Sequence, residues 1–290
     1  MSQVHTNPMK ILTLSTARLL CAVICLGIIA GCSTLKCDHC AVAQRDVDGF
    51  PPLFAYGQNT NQNPGWRHIY IEGDGRPWKR GRLQNTNPTS RQKLALSLML
   101  IDAQDSVYLE RPCYGFNKAP PSPCRPHWWT SARYSQEVVT ALDSALDKIQ
   151  QQYGKKPLVL IGHSGGGTLA MLVAQMREDI AGIVTVAGNI DPDAWTEHHG
   201  YLPLQDSLNP SQQSPLPPSI FRWHHAGSKD LNIPLAITQL ATKEDAYAEI
   251  FETNSDHNCC WLKQWPAVLE QLQSLENSVQ KEAPTHQSTQ

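Results

Sequence analysis

The sequence has no run of five or six like charges; its 24 basic and 26 acidic residues are scattered and leave a formal net charge of -2. Neither the electrostatic footprint of a nucleic-acid binder nor a polybasic membrane patch is visible in that pattern, and no nucleic-acid partner is expected. An apolar run of the roughly 20 residues that a membrane-spanning helix needs is also missing. There is no internal repeat. His198-His199, His224-His225 and Cys37-Asp38-His39-Cys40 supply metal ligands, but none has the second paired spacing of a zinc site, so neither a metal nor a cofactor is expected. With 17% charged and 41% hydrophobic residues, the 290-residue chain has enough apolar material for one large core.

The longest apolar stretch lies at the N-terminus. Lys10 and Arg18 precede an uncharged segment from Leu19 to Gly31, about the length of a signal-peptide core. It ends Ile29-Ala30-Gly31-Cys32, which resembles the lipobox of bacterial lipoproteins. The resemblance implies that residues 1–31 are removed and that Cys32 is acylated, a membrane anchor without a spanning helix. The other reading is an ordinary secretory signal with an incidental cysteine. Ser33, in place of Asp, implies by the same resemblance the outer membrane of the bacterial cell envelope, facing the periplasm. Residues 32–50 are short on apolar periodicity and read as a tether, residues 51–277 as the folded domain, and the polar residues 278–290 as a disordered tail.

Of nine cysteines, Cys37, Cys40, Cys113, Cys124, Cys259 and Cys260 lie beyond the lipobox, an even number consistent with disulfides in an exported chain. Cys113 and Cys124 bracket a proline-rich loop and are the expected pair. The pairing of Cys37, Cys40, Cys259 and Cys260 stays open, a vicinal bridge being strained and uncommon.

Strand-like and helix-like segments alternate from residue 67 onward. Strands are expected at 67–71, 106–110, 157–161, 181–187, 219–225 and 246–251, and helices at 91–103, 134–153, 168–178 and 261–275. The order implies an α/β fold with a mostly parallel sheet and helices on both faces.

Chemistry concentrates where this pattern turns. Gly162-His163-Ser164-Gly165-Gly166 follows a buried-type strand and opens a small-residue helix, which is the strand-turn-helix context that G-x-S-x-G requires to raise a serine hydroxyl out of a sheet. Ser164 is the candidate nucleophile, and the N–H of Gly165 a candidate oxyanion donor. The loop Glu72-Gly73-Asp74-Gly75 after the first central strand offers the N–H of Asp74 as the second. After the strand ending at His225, Gly227-Ser228-Lys229-Asp230-Leu231-Asn232-Ile233-Pro234 resembles the G-x-x-D-x-x-V-P turn of α/β-hydrolases, making Asp230 the candidate acid; Asp191 is the alternative. Among eleven histidines, only His257 falls between the last strand and the last helix, the place of the base.

Taken together, residues 67–275 resemble the α/β-hydrolase superfamily, of the minimal bacterial lipoprotein type with little or no cap. The resemblance implies a serine hydrolase that cleaves a carboxylic ester, on a small-molecule or lipid acyl substrate. A peptidase, thioesterase or acyltransferase would use the same three residues, and a catalytically idle surface binding lipoprotein is the remaining alternative. Gly73, His163, Asn189, Trp195 and His198 are candidate pocket residues, with Trp128 and Trp129 expected close by. Oligomeric state is not legible.

Overall fold

The computed structural model describes residues 41–47, 49–58 and 65–282. The segment read as a signal peptide, Cys32, Cys37, Cys40 and residues 283–290 lie outside them. The described residues all fall in one compact unit, His39–Gln290.

The strands are β1 (Ala41–Val47), β2 (Phe50–Gln58), β3 (Arg67–Ile71), β4 (Trp78–Lys79), β5 (Leu83–Gln84), β6 (Ser106–Leu109), β7 (Leu158–His163), β8 (Ile180–Val186), β9 (Phe221–Gly227) and β10 (Ala248–Thr253). The helices, renumbered in order, are α1 (Leu94–Met99), α2 (Gln136–Tyr153), α3 (Gly165–Ala174), α4 (Pro192–His199), α5 (Leu235–Ala241) and α6 (Trp261–Glu282). Eight strands form one sheet in the order β1-β2-β6-β3-β7-β8-β9-β10. β2 runs antiparallel to both β1 and β6, and every other neighbouring pair is parallel.

Successive strand residues face opposite sides, and both sides are covered. Ile69, Ile71, Val107, Leu109, Leu158 and Leu160 pack with α2 and α3. Tyr70, Tyr108, Val159, Ile161, Val184 and Val186 pack with α1 and α6. This double burial is why the central strands read as continuous apolar runs. Chain order reverses around β3, with β6 on one side and β7 on the other, so a crevice opens beyond their carboxyl ends. Ser135 caps α2 by accepting from the Val138 N–H, and Gly154 at φ +85° ends it.

Two domain boundaries differ from expectation. β1 and the start of β2 fall inside the segment read as tether, because an edge strand held by main-chain pairing needs no apolar stripe. α6 continues past residue 277, and its Glu276 carboxylate accepts the Trp66 N–H at 2.5 Å, a polar contact that hydrophobic periodicity does not reveal. Cys113 and Cys124 form a disulfide, as do the adjacent Cys259 and Cys260.

Candidate active site

Ser164 sits between the end of β7 and the first residue of α3 with φ +52° and ψ -124°, a backbone conformation that costs a non-glycine residue of order 1–3 kcal/mol. Crowding explains the glycines around it. A Cβ on Gly162 would overlap the Gly166 carbonyl, and one on Gly166 would overlap the Ile71 carbonyl at the end of β3. The turn is therefore packed on itself and against the end of β3, leaving the hydroxyl at the mouth of the crevice.

The His257 ring lies between two side chains. Its Nε2 is 3.0 Å from Ser164 Oγ and its Nδ1 is 2.8 Å from Asp230 Oδ2. Asp230 is buried, and its other oxygen accepts the N–H groups of Asn232 and Ile233 at 2.8 and 2.9 Å, which fixes the turn after β9. Asn232 Nδ2 approaches His257 Nε2 at 3.1 Å. Because an amide nitrogen can only donate, Nε2 carries no proton in this arrangement, and the ring hydrogen lies on Nδ1 toward Asp230. That is the tautomer able to take a proton from Ser164.

Asp191, the alternative acid, is used elsewhere. It caps α4 by accepting the Ala194 N–H at 3.1 Å and receives Asn209 Nδ2 at 2.8 Å.

The loop of residues 72–75 lies against the serine. A Cβ on Gly73 would stand 3.0 Å from Ser164 Cβ, and one on Gly165 would overlap Asp74 Oδ1 and Tyr134 Oη. The Asp74 carboxylate is clamped by Arg111, by Arg133 Nη1 at 2.9 Å and by Tyr134 Oη at 2.7 Å. Burial alone would raise its pKa; the two guanidiniums outweigh burial and hold it well below the usual carboxylate range. Tyr114 Oη donates to the Asp74 carbonyl at 3.0 Å, and burial pushes that phenol up to about 12. Sequence reasoning found Asp74 but missed Arg111, Arg133, Tyr134 and Asn232. Only Asn232 left a signal, two residues past the acid in a turn that favours such a contact.

A cavity of about 1160 Å³ opens over Ser164. Gly73, Asp74, His163, Asn189, Trp195 and His257 line it. His163 Nε2 faces the His257 carbonyl at 3.1 Å and must donate to it, while its Nδ1 faces Glu72 Oε1 at 3.3 Å. Arg133 stacks over the Trp195 ring with 5.9 Å to the centroid. Three polar atoms of this wall are buried without a partner among the described residues: Glu72 Oε2, Asn189 Oδ1 and Trp195 Nε1.

Three expected pocket residues lie elsewhere. His198 is exposed and absent from the wall, because four-residue spacing on α4 puts His199, not His198, beside Trp195 at 5.7 Å. Trp129 is buried and donates to the Asn85 carbonyl, and Trp128 packs edge-on against Phe50. The paired histidines of β9 point to opposite faces: His224 meets Thr185 Oγ1 at 2.9 Å, and His225 stacks on Phe251.

Sheet order, crossovers and the strand-end position of the serine turn are those of the α/β-hydrolase fold. Residues 127–234 match the profile of the family described as serine aminopeptidase, S33 (Hydrolase_4). Est1E from Butyrivibrio proteoclasticus, in its structure with ferulic acid bound, is 14% identical at a TM-score of 0.60, over 81% of this chain and 99% of that one. The Pyrococcus furiosus esterase Pf2001 is 12% identical at 0.56, over 81% and 92%. A puromycin-hydrolyzing peptidase of Mycobacterium tuberculosis is 12% identical at 0.59, over 82% of this chain and 39% of that one. At such identities these likenesses show the fold. No curated protein matches the chain in sequence.

Proposed function

We propose that this chain is a serine hydrolase that cleaves a carboxylic ester through Ser164, His257 and Asp230. The hydrogen-bonded row from Ser164 Oγ through His257 to Asp230, beneath an open cavity, carries the reading. His257 Nε2 takes the hydroxyl proton as Ser164 Oγ attacks the acyl carbon, and Asp230 holds the tautomer and stabilises the imidazolium. The N–H groups of Gly165 and Asp74 receive the oxyanion, helped by the positive end of α3. His257 then protonates the leaving alcohol, and a water activated by the same ring releases the acid from the acyl-enzyme.

Peptide or aminoacyl amide cleavage is the second reading, favoured by the aminopeptidase profile over residues 127–234. The lipobox-like Ile29-Ala30-Gly31-Cys32 supports a lipid anchor at Cys32 and a site in the cell envelope.

Labelling by a fluorophosphonate probe and hydrolysis of p-nitrophenyl esters of graded chain length should both occur, and both should vanish in Ser164→Ala, with a fall in kcat of about 10⁶ by analogy with triad removal elsewhere. Turnover of aminoacyl p-nitroanilides exceeding that of every ester would make the peptidase reading the better one. A folded protein that neither labels nor turns over would overturn both.

A further inference from the structure

From Gly75 to Ile101 the sequence holds six basic residues and no acid. Their centre is the hairpin β4–β5, whose turn has Arg80 at φ +52° and Gly81 at φ +69° with the Arg82 N–H donating to the Lys79 carbonyl, a type I′ geometry. Lys79, Arg80 and Arg82 are exposed at this tip, as is Arg91 nearby, and none of the four makes an ion pair among the described residues. Lys93, by contrast, is held by Glu110. Trp78 and Leu83 on the same hairpin are 43% and 64% exposed.

This hairpin borders the cavity, whose wall includes Arg76, Trp78, Gln84 and Arg91. Tyr201 and Leu202, also on the wall, are 55% and 87% exposed, and Leu231, beside the wall residue Asn232, is 84% exposed. Five of the eleven large hydrophobic side chains left exposed among the described residues therefore surround one opening. An exposed acid, Asp206, shares that rim and is engaged by Ser131.

We infer that this rim, led by the β4–β5 hairpin, docks on an anionic phospholipid bilayer. A soluble polyanion would use the cations and leave Trp78, Leu83 and Leu202 in water; an uncharged apolar partner would leave the cations without function. Unpaired bases beside an exposed Trp and Leu match a headgroup layer lying over acyl chains. Docked so, the cavity opens onto the lipid. That consequence rests on the ester-hydrolase reading above; the docking itself does not.

The test uses the unit His39–Gln290 carrying Ser164→Ala, so that binding is measured apart from turnover. Flotation with phosphatidylcholine vesicles should show weak binding, and vesicles containing phosphatidylglycerol strong binding that falls with salt. Neutralising Lys79→Gln, Arg80→Gln and Arg82→Gln together should lower the partition coefficient about a hundredfold, at roughly fivefold per charge. Leu83→Ser with Leu202→Ser should weaken vesicle binding and leave retention on heparin unchanged. Thermal unfolding confirms that each variant is folded. Equal binding to both vesicle types, a triple variant that binds like its parent, or heparin retention without vesicle binding would each overturn the inference, whatever the esterase assays return.

Discussion

Asp74 and Gly165 illustrate how single residues hold the site in shape. Asp74 is the shared anion of two buried guanidiniums, so Asp74→Ala should leave Arg111 and Arg133 unpaired and lower stability by about 3–5 kcal/mol in urea unfolding. Since folding depresses the Asp74 pKa, its contribution is present above the ordinary carboxylate value near pH 4 and lost as pH falls below it. Gly165→Ala tests the other side of that contact. Its added methyl would run into Asp74 Oδ1 and Tyr134 Oη. Relief of the overlap must move the proposed oxyanion donors, so kcat of a folded variant should fall by about 10²–10³, the effect of losing one such donor.

At the scale of elements, β9 carries a pH dependence. Burial lowers His224 to about 3 and His225 to about 4. Both rings are neutral when folded and charge on unfolding, so the folded state binds fewer protons between pH 6.5 and 4. Stability therefore falls as pH drops through that window, and the thermal midpoint should fall with it. His225→Phe should flatten the slope, because the stacking partner Phe251 accepts a ring without a proton to gain. The loop between Cys113 and Cys124 is the second element to test. Closing a loop of this length is worth about 3 kcal/mol in the unfolded chain, so Cys113→Ala with Cys124→Ala should lower unfolding free energy by that order.

Elements with a periodic apolar pattern were legible in the sequence: β3, β7 and α2 start and end within about two residues of their expected places. β1, held by main-chain pairing, and the short α5 were not. In the candidate site, Ser164, Asp230 and His257 could be placed because each occupies a defined turn after a strand. Arg111 and Arg133 could not, since their partner Asp74 lies 37 and 59 residues away and no local pattern records the pairing. The hairpin's charge is compact in sequence, Lys79-Arg80-Gly81-Arg82, but too short to count as a run of like charges; its place on the rim of the cavity beside Trp78 shows only in the fold.

At the scale of the whole molecule, α6 closes the structure. Trp261, Trp265, Val268 and Leu272 cover the sheet face that presents Tyr70, Val159 and Ile161, and Glu276 secures the Trp66 N–H at the start of β3. A ribosome delivers His257 93 residues after the serine, and α6 only after His257. Until both have emerged, the nascent chain has an uncovered sheet face and no ring beside Ser164, so the proposed proton acceptor arrives well after the turn that raises the hydroxyl.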